Sequence, residues 1–136
     1  MCIRDSRRAS GLGVIYIDVD KLKAINDRFG HAQGDEALRA VADIMRASIR
    51  DSDVVARVGG DEFVVLAEDG PEITGDLMER IERRLAALNR KTGRSFRLEL
   101  SIGAVDWETD ERVTLQELIE RADQRMYDVK RAKRTA

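Results

Sequence analysis

Val54 to Ala67 reads VVARVGGDEFVVLA. The runs on either side of Gly59-Gly60 are rich in Val, Phe and Leu, as strands are. Tandem glycines permit the positive φ angles of a tight turn, so the stretch predicts a β-hairpin. Asp61 and Glu62 open the returning strand beside a bare glycine backbone. Two carboxylates in that setting suit a site for a cation and a phosphate, although an ordinary solvated turn has the same composition. The rest of the chain decides between the two.

Upstream, Gly11 to Val19 (GLGVIYIDV) is an almost unbroken apolar run, the pattern of a central strand buried on both faces. Asp18 and Asp20 alternate with Val19, so an extended backbone points both to one side at the strand's C-terminal edge. In open α/β sheets that edge is where ligands bind. Asp20 also reads as the cap of a helix from Lys21 to Phe29, which Gly30 stops. A turn is predicted at 31–34, then a helix over about Asp35 to Ile49 striped by Leu38, Val41, Met45 and Ile49. His31, the only histidine, lacks nitrogen or sulfur partners nearby and is assigned a structural hydrogen bond rather than a metal. Arg50 to Asp53 reads as a solvated link.

Downstream, Pro71 opens a helix striped by Ile73, Leu77, Ile81, Leu85 and Leu88 that ends near Lys91-Thr92-Gly93. Phe96 to Val105 alternates as another strand, and Trp107 reads as surface packing. Thr114 with Glu117 forms a capping box for a last helix, whose basic end (Lys130, Arg131, Lys133, Arg134) suits the helix dipole. Met1 to Ser10 is polar and basic without a hydrophobic period, a lead-in or the cut edge of a longer polypeptide. Residues 11–136 are then one domain.

Composition narrows the function. A chain of 136 residues with 43% hydrophobic content buries a real core, and charged residues (37%) nearly cancel to a net charge of -2. No global field draws this chain to nucleic acid or acidic membranes, so a polyanion site has to be local. The one cysteine, Cys2, excludes a disulfide framework or a thiol-rich metal site and fits a reducing, cytoplasmic setting. No apolar run approaches the roughly 20 residues of a membrane helix, and no secretory segment precedes the first strand. A soluble domain is expected, with membrane tethering left to a longer parent.

Strand, helices, hairpin, helix, strand, helix is the order of an α/β sheet covered by helices, with the first strand beside the hairpin. That adjacency brings Asp18 near Asp61. Carboxylates on neighbouring strand ends beside a glycine turn are what Mg²⁺-assisted phosphoryl transfer needs, with Lys23 and the basic end of the last helix balancing phosphate charge.

GGDEF at 59–63, preceded by Ala56-Arg57-Val58, resembles the GGDEF-domain diguanylate cyclases, as do DVDKLKAINDRFGHAQGDEAL from Asp18 and SIGAV from Ser101. The likeness runs from Gly11 onward. It implies the palm-like nucleotidyl cyclase fold, a central mixed sheet with the hairpin, flanked by helices. By position, Asp18 through its carboxylate and Val19 through its carbonyl would hold Mg²⁺, with Mn²⁺ as a substitute. Asp61 would bind metal and help deprotonate the attacking hydroxyl, and Glu62 would support the metal. Asn26 and Asp35 would read the guanine edge, Lys23, Lys130 and Arg134 would contact phosphates, and Gly59 and Gly60 would let the backbone approach the nucleotide. The implied reaction condenses two GTP into cyclic di-GMP with release of two pyrophosphates across a homodimer. Arg50 and Asp53 match an RxxD product-inhibition site.

Against the family pattern, the usual leading helix, final strand and preceding regulatory domain are not found in this sequence, so an N-terminally truncated chain is expected. Another reading is a catalytically silent receptor for GTP or cyclic di-GMP, which loss of Asp61 or Glu62 would favour; both are present. Nucleotidyl transfer on another base is a further alternative.

Overall fold

A computed structural model describes residues 11–68, 73–91, 96–107 and 112–135. The lead-in, Pro71, Thr92 and Gly93 lie outside them. The described chain runs β1 (Leu12–Val19), α1 (Leu22–Phe29), α2 (His31–Ser48), β2 (Val54–Arg57), β3 (Glu62–Glu68), α3 (Ile73–Lys91), β4 (Leu100–Trp107) and α4 (Leu115–Thr135). The strands form one sheet in the order β2-β3-β1-β4. Its three ladders are all antiparallel, where a mixed sheet was expected.

β1 is central and buried on both faces because its apolar residues do not alternate. Ile15, Ile17 and Val19 face a core shared with α2 and α3. Val14 and Tyr16 face a second core completed by Leu118, Ala122 and Met126 of α4. The sheet therefore lies between two helical layers. Trp107, expected at the surface, is 4% exposed within that second core, because α4 covers the end of β4 as well as its middle. Gly103 makes this close approach possible: a Cβ there would lie 2.0 Å from the Ala122 carbonyl oxygen and 2.2 Å from the Met126 nitrogen.

Local boundaries depart from the pattern in three places. α2 begins at His31 rather than Asp35, since the chain re-enters helix directly after Gly30 at φ 95°. Gly34 is buried inside that first turn, where a Cβ would fall 1.7 Å from Asn26 Oδ1. Asp20 makes no cap to α1; the helix instead starts after Lys21 in the left-handed region at φ 58°. β4 begins at Leu100, because the Asn89 side chain takes both Leu98 backbone groups, accepting from its N–H at 3.0 Å and donating to its carbonyl at 2.9 Å.

The hairpin is wider than a two-residue turn. The Val58 N–H donates to the Glu62 carbonyl at 3.0 Å, closing the loop over several residues, and neither Gly59 nor Gly60 has positive φ. Longer hairpin loops do not need the left-handed pair that a primed turn demands. Arg57 braces this loop, donating to the Gly59 carbonyl at 3.2 Å and the Gly60 carbonyl at 2.6 Å.

Candidate active site

The register of β1 and β3 assembles the site. Asp18 stands directly opposite Glu62, and the Val19 N–H donates to the Asp61 carbonyl at 2.9 Å, fastening the hairpin's start to the end of β1. One carboxylate oxygen from each of Asp18, Asp61 and Glu62 lies within 4.8 Å of the others. Val19 buries its side chain in the opposite face, leaving only its main chain for this site.

Asp18 is 4% exposed. Its Oδ2 accepts from Lys130 Nζ at 2.6 Å, while its Oδ1 is buried with no hydrogen-bond partner. Burial pushes its carboxyl up to about 6, the Lys130 hydrogen bond opposing and the Asp61 charge adding to the rise. The same hydrogen bond to Asp18 raises Lys130, against burial. Tyr16 donates its hydroxyl to Glu62 Oε2 at 2.6 Å, and burial followed by that bond pushes its phenol upward. Asp123 on α4 is also raised, by burial and then by the charge of Glu62. A buried carboxylate oxygen without a donor, among three converging carboxylates, is a poor resting arrangement for protein alone. It fits a hard divalent cation, which takes oxygen ligands.

Beside the carboxylates opens a cavity of about 680 Å³ lined by Lys21, Lys23, Asp61, Lys130, Lys133 and Arg134 among others. The structure thus brings three expected phosphate contacts, Lys23, Lys130 and Arg134, into the lining of one cavity with Asp61. Lys133 is held at 2.7 Å from both Asp20 Oδ2 and the Leu100 carbonyl, and Asp20 Oδ1 accepts from Ser101 Oγ at 2.6 Å. Asp20 is therefore a tether for α4.

Asn26 and Asp35 are placed apart from that cavity's lining. The Asn26 amide lies over Gly34, next in sequence to Asp35, and its buried Oδ1 has no partner. Asp35 lines a separate cavity of about 380 Å³ with Leu38, Arg39, Arg57 and Phe63. Arg50 and Asp53 sit elsewhere. The Arg50 N–H donates to Asp53 Oδ2 at 2.9 Å, and Asp53 Oδ1 takes the Glu68 N–H at 3.4 Å, at the far end of β3 from Glu62. Arg80 Nε donates to the Ser48 carbonyl at 3.0 Å, placing it next to that turn.

Sequence reasoning missed Tyr16 as a partner of Glu62. Its position two residues before Asp18, on the same strand face, was the available signal.

The family model for the diguanylate cyclase GGDEF domain matches residues 2–136. Diguanylate cyclase DgcS of Shewanella oneidensis is 37% identical over 128 residues, 93% of this chain and 42% of that protein. The active GGEEF domain of a diguanylate cyclase from Vibrio cholerae has a TM-score of 0.82 at 32% identity, covering 95% of this chain and 82% of that one. A microbial GGDEF domain studied for its interaction with cyclic di-GMP has a TM-score of 0.76 at 30% identity, over 95% and 82% of the two chains. The chain spans less than half the length of the curated relatives it matches. Family match, fold likeness and the carboxylates on β1 and β3 agree, and the chain belongs to the GGDEF-domain diguanylate cyclase family.

Proposed function

We propose that this domain condenses two molecules of GTP into cyclic di-GMP, releasing two pyrophosphates. The observation that carries the reading is the convergence of Asp18, Asp61 and Glu62 within 4.8 Å, beside a cavity walled by lysine and arginine. Asp18, Asp61, Glu62 and the Val19 carbonyl would hold Mg²⁺, or Mn²⁺ in its place. That ion supplies neutralisation of phosphate charge. Lys23, Lys130 and Arg134 hold the phosphates, and Asn26 and Asp35 accept the N1 and N2 donors of guanine. Gly59 and Gly60 leave room for the nucleotide against the backbone.

Asp61 takes the proton of the 3′-hydroxyl as that oxygen bonds to the α-phosphorus of the facing nucleotide, and the bond to pyrophosphate breaks. The exchange occurs twice, so two domains face each other as a homodimer, and catalysis is chiefly positioning and charge stabilisation. Arg50 and Asp53 form the product-feedback site, the planar arginine fork matching guanine and phosphate. Substrate supply implies a cytoplasmic setting; no helix among the described residues is long and apolar enough to cross a membrane.

The test is chromatography of products after incubating the chain with GTP and Mg²⁺ at rising chain concentration. Cyclic di-GMP is expected, with turnover per chain increasing as chains pair. Asp61→Ala is expected to lower it by about a hundredfold or more, the scale of a lost general base. Equal synthesis by that variant removes Asp61 from its role. Binding of cyclic di-GMP without any synthesis selects the receptor reading.

A further inference from the structure

Tyr16 is embedded in an apolar cluster with Val14, Val105, Leu118, Ala122 and Met126, where leucine or phenylalanine would bury the same kind of surface without a hydroxyl to satisfy. Tyr16 is 8% exposed. Its hydroxyl reaches out of that cluster and gives its one proton to Glu62 Oε2 at 2.6 Å. Register explains the reach: Asp18 faces Glu62 and Tyr16 faces Val64, so Tyr16 and Glu62 are the diagonal pair, a separation that an aromatic side chain spans. Glu62 has one more rotatable bond than the two aspartates beside it, and the phenol limits that freedom.

We propose that Tyr16 is a positioning residue that holds Glu62 to one-oxygen ligation and so sets the site's preference for Mg²⁺ over Ca²⁺. The inference rests on the metal-site reading of Asp18, Asp61 and Glu62. A hydroxyl engaged with Oε2 leaves Oε1 to meet the cation. Mg²⁺ needs near-octahedral single-oxygen ligands at close range, whereas Ca²⁺ takes six to eight oxygens and favours carboxylates that offer both. Pinning one oxygen therefore selects against the larger ion. The packing of the ring among α4 side chains makes the hydroxyl a fixed donor rather than a mobile one.

The experiment is Mn²⁺ binding to the purified chain, followed by electron paramagnetic resonance, with displacement by Mg²⁺ and by Ca²⁺. In the parental chain Mg²⁺ is expected to displace Mn²⁺ better than Ca²⁺ does. In Tyr16→Phe, which keeps the ring, that ratio is expected to shift toward Ca²⁺ by roughly tenfold, the scale of one hydrogen bond to a charged group. In a Glu62→Ala background the same substitution is expected to change nothing, which separates positioning of Glu62 from general loosening of the fold. An unchanged Mg²⁺ to Ca²⁺ ratio in Tyr16→Phe, with Mn²⁺ still bound, overturns the inference alone. Failure of the parental chain to bind Mn²⁺ overturns the metal-site reading and this inference with it.

Discussion

Gly34 is the residue whose role is least visible in a sequence and plainest in space. Glycine inside a helix destabilises it by about 1 kcal/mol relative to alanine, so a helix reading naturally starts after it, as the expectation of a turn at 31–34 did. The structure gives the reason for its presence: a methyl group there would collide with Asn26 Oδ1 at 1.7 Å. Backbone freedom is not the issue, since Gly34 sits in ordinary helix. Gly34→Ala is expected to expel the Asn26 amide and raise KM for GTP roughly tenfold, the worth of one hydrogen-bonded contact, with a smaller change in kcat. Steady-state kinetics checks this, and an unchanged KM detaches Asn26 from base recognition. The convergence of Asp18 and Asp61 was legible because residue type and strand position together announce it. The Tyr16 bond was not, because it depends on which residue of β3 faces which residue of β1.

At the scale of elements, β1 was readable from its unbroken apolar run, and α3 and α4 from their stripes. What escaped were boundaries set by side chains far away. Phe96 and Leu98 alternate as a strand does, yet Asn89 claims the Leu98 backbone before the sheet can. Trp107 looked peripheral because nothing in its own neighbourhood announces α4 lying over it. The docking of α4 on β4 depends on Gly103, and α4 carries Lys130 and Lys133 to Asp18 and Asp20 at 2.6 and 2.7 Å. Gly103→Ala forces helix and strand apart. It is expected to lower stability by about 3 kcal/mol, the upper part of the usual range for overpacking, and turnover is expected to fall as well because the basic wall shifts. Denaturant midpoints measure the first effect; an unchanged midpoint means α4 slides without loss.

Across the whole molecule, the turn at Arg50 and Asp53 and the carboxylates of the candidate site sit at opposite ends of β3. The seven residues from Glu62 to Glu68 separate them by roughly 20 Å of extended chain. A ligand held at the turn would not touch the carboxylates of the same chain, so on the proposed function any feedback from there would have to act by fixing how two chains meet. Arg50→Ala is expected to relieve product inhibition several-fold while leaving the initial rate near parental. Inhibition curves for cyclic di-GMP decide it, and identical curves remove this turn from regulation.

Neither Gly59 nor Gly60 uses a positive φ; a Cβ on Gly60 would meet open space, and one on Gly59 only ordinary contact with Glu62 at 3.4 Å. The fold itself would accept alanine at both positions. On the proposed function, bareness there would serve a nucleotide lying against the loop rather than the chain's own packing. Alanine at Gly59 or Gly60 is therefore expected to leave the denaturant midpoint near parental, whereas alanine at Gly103, gripped by α4, is not.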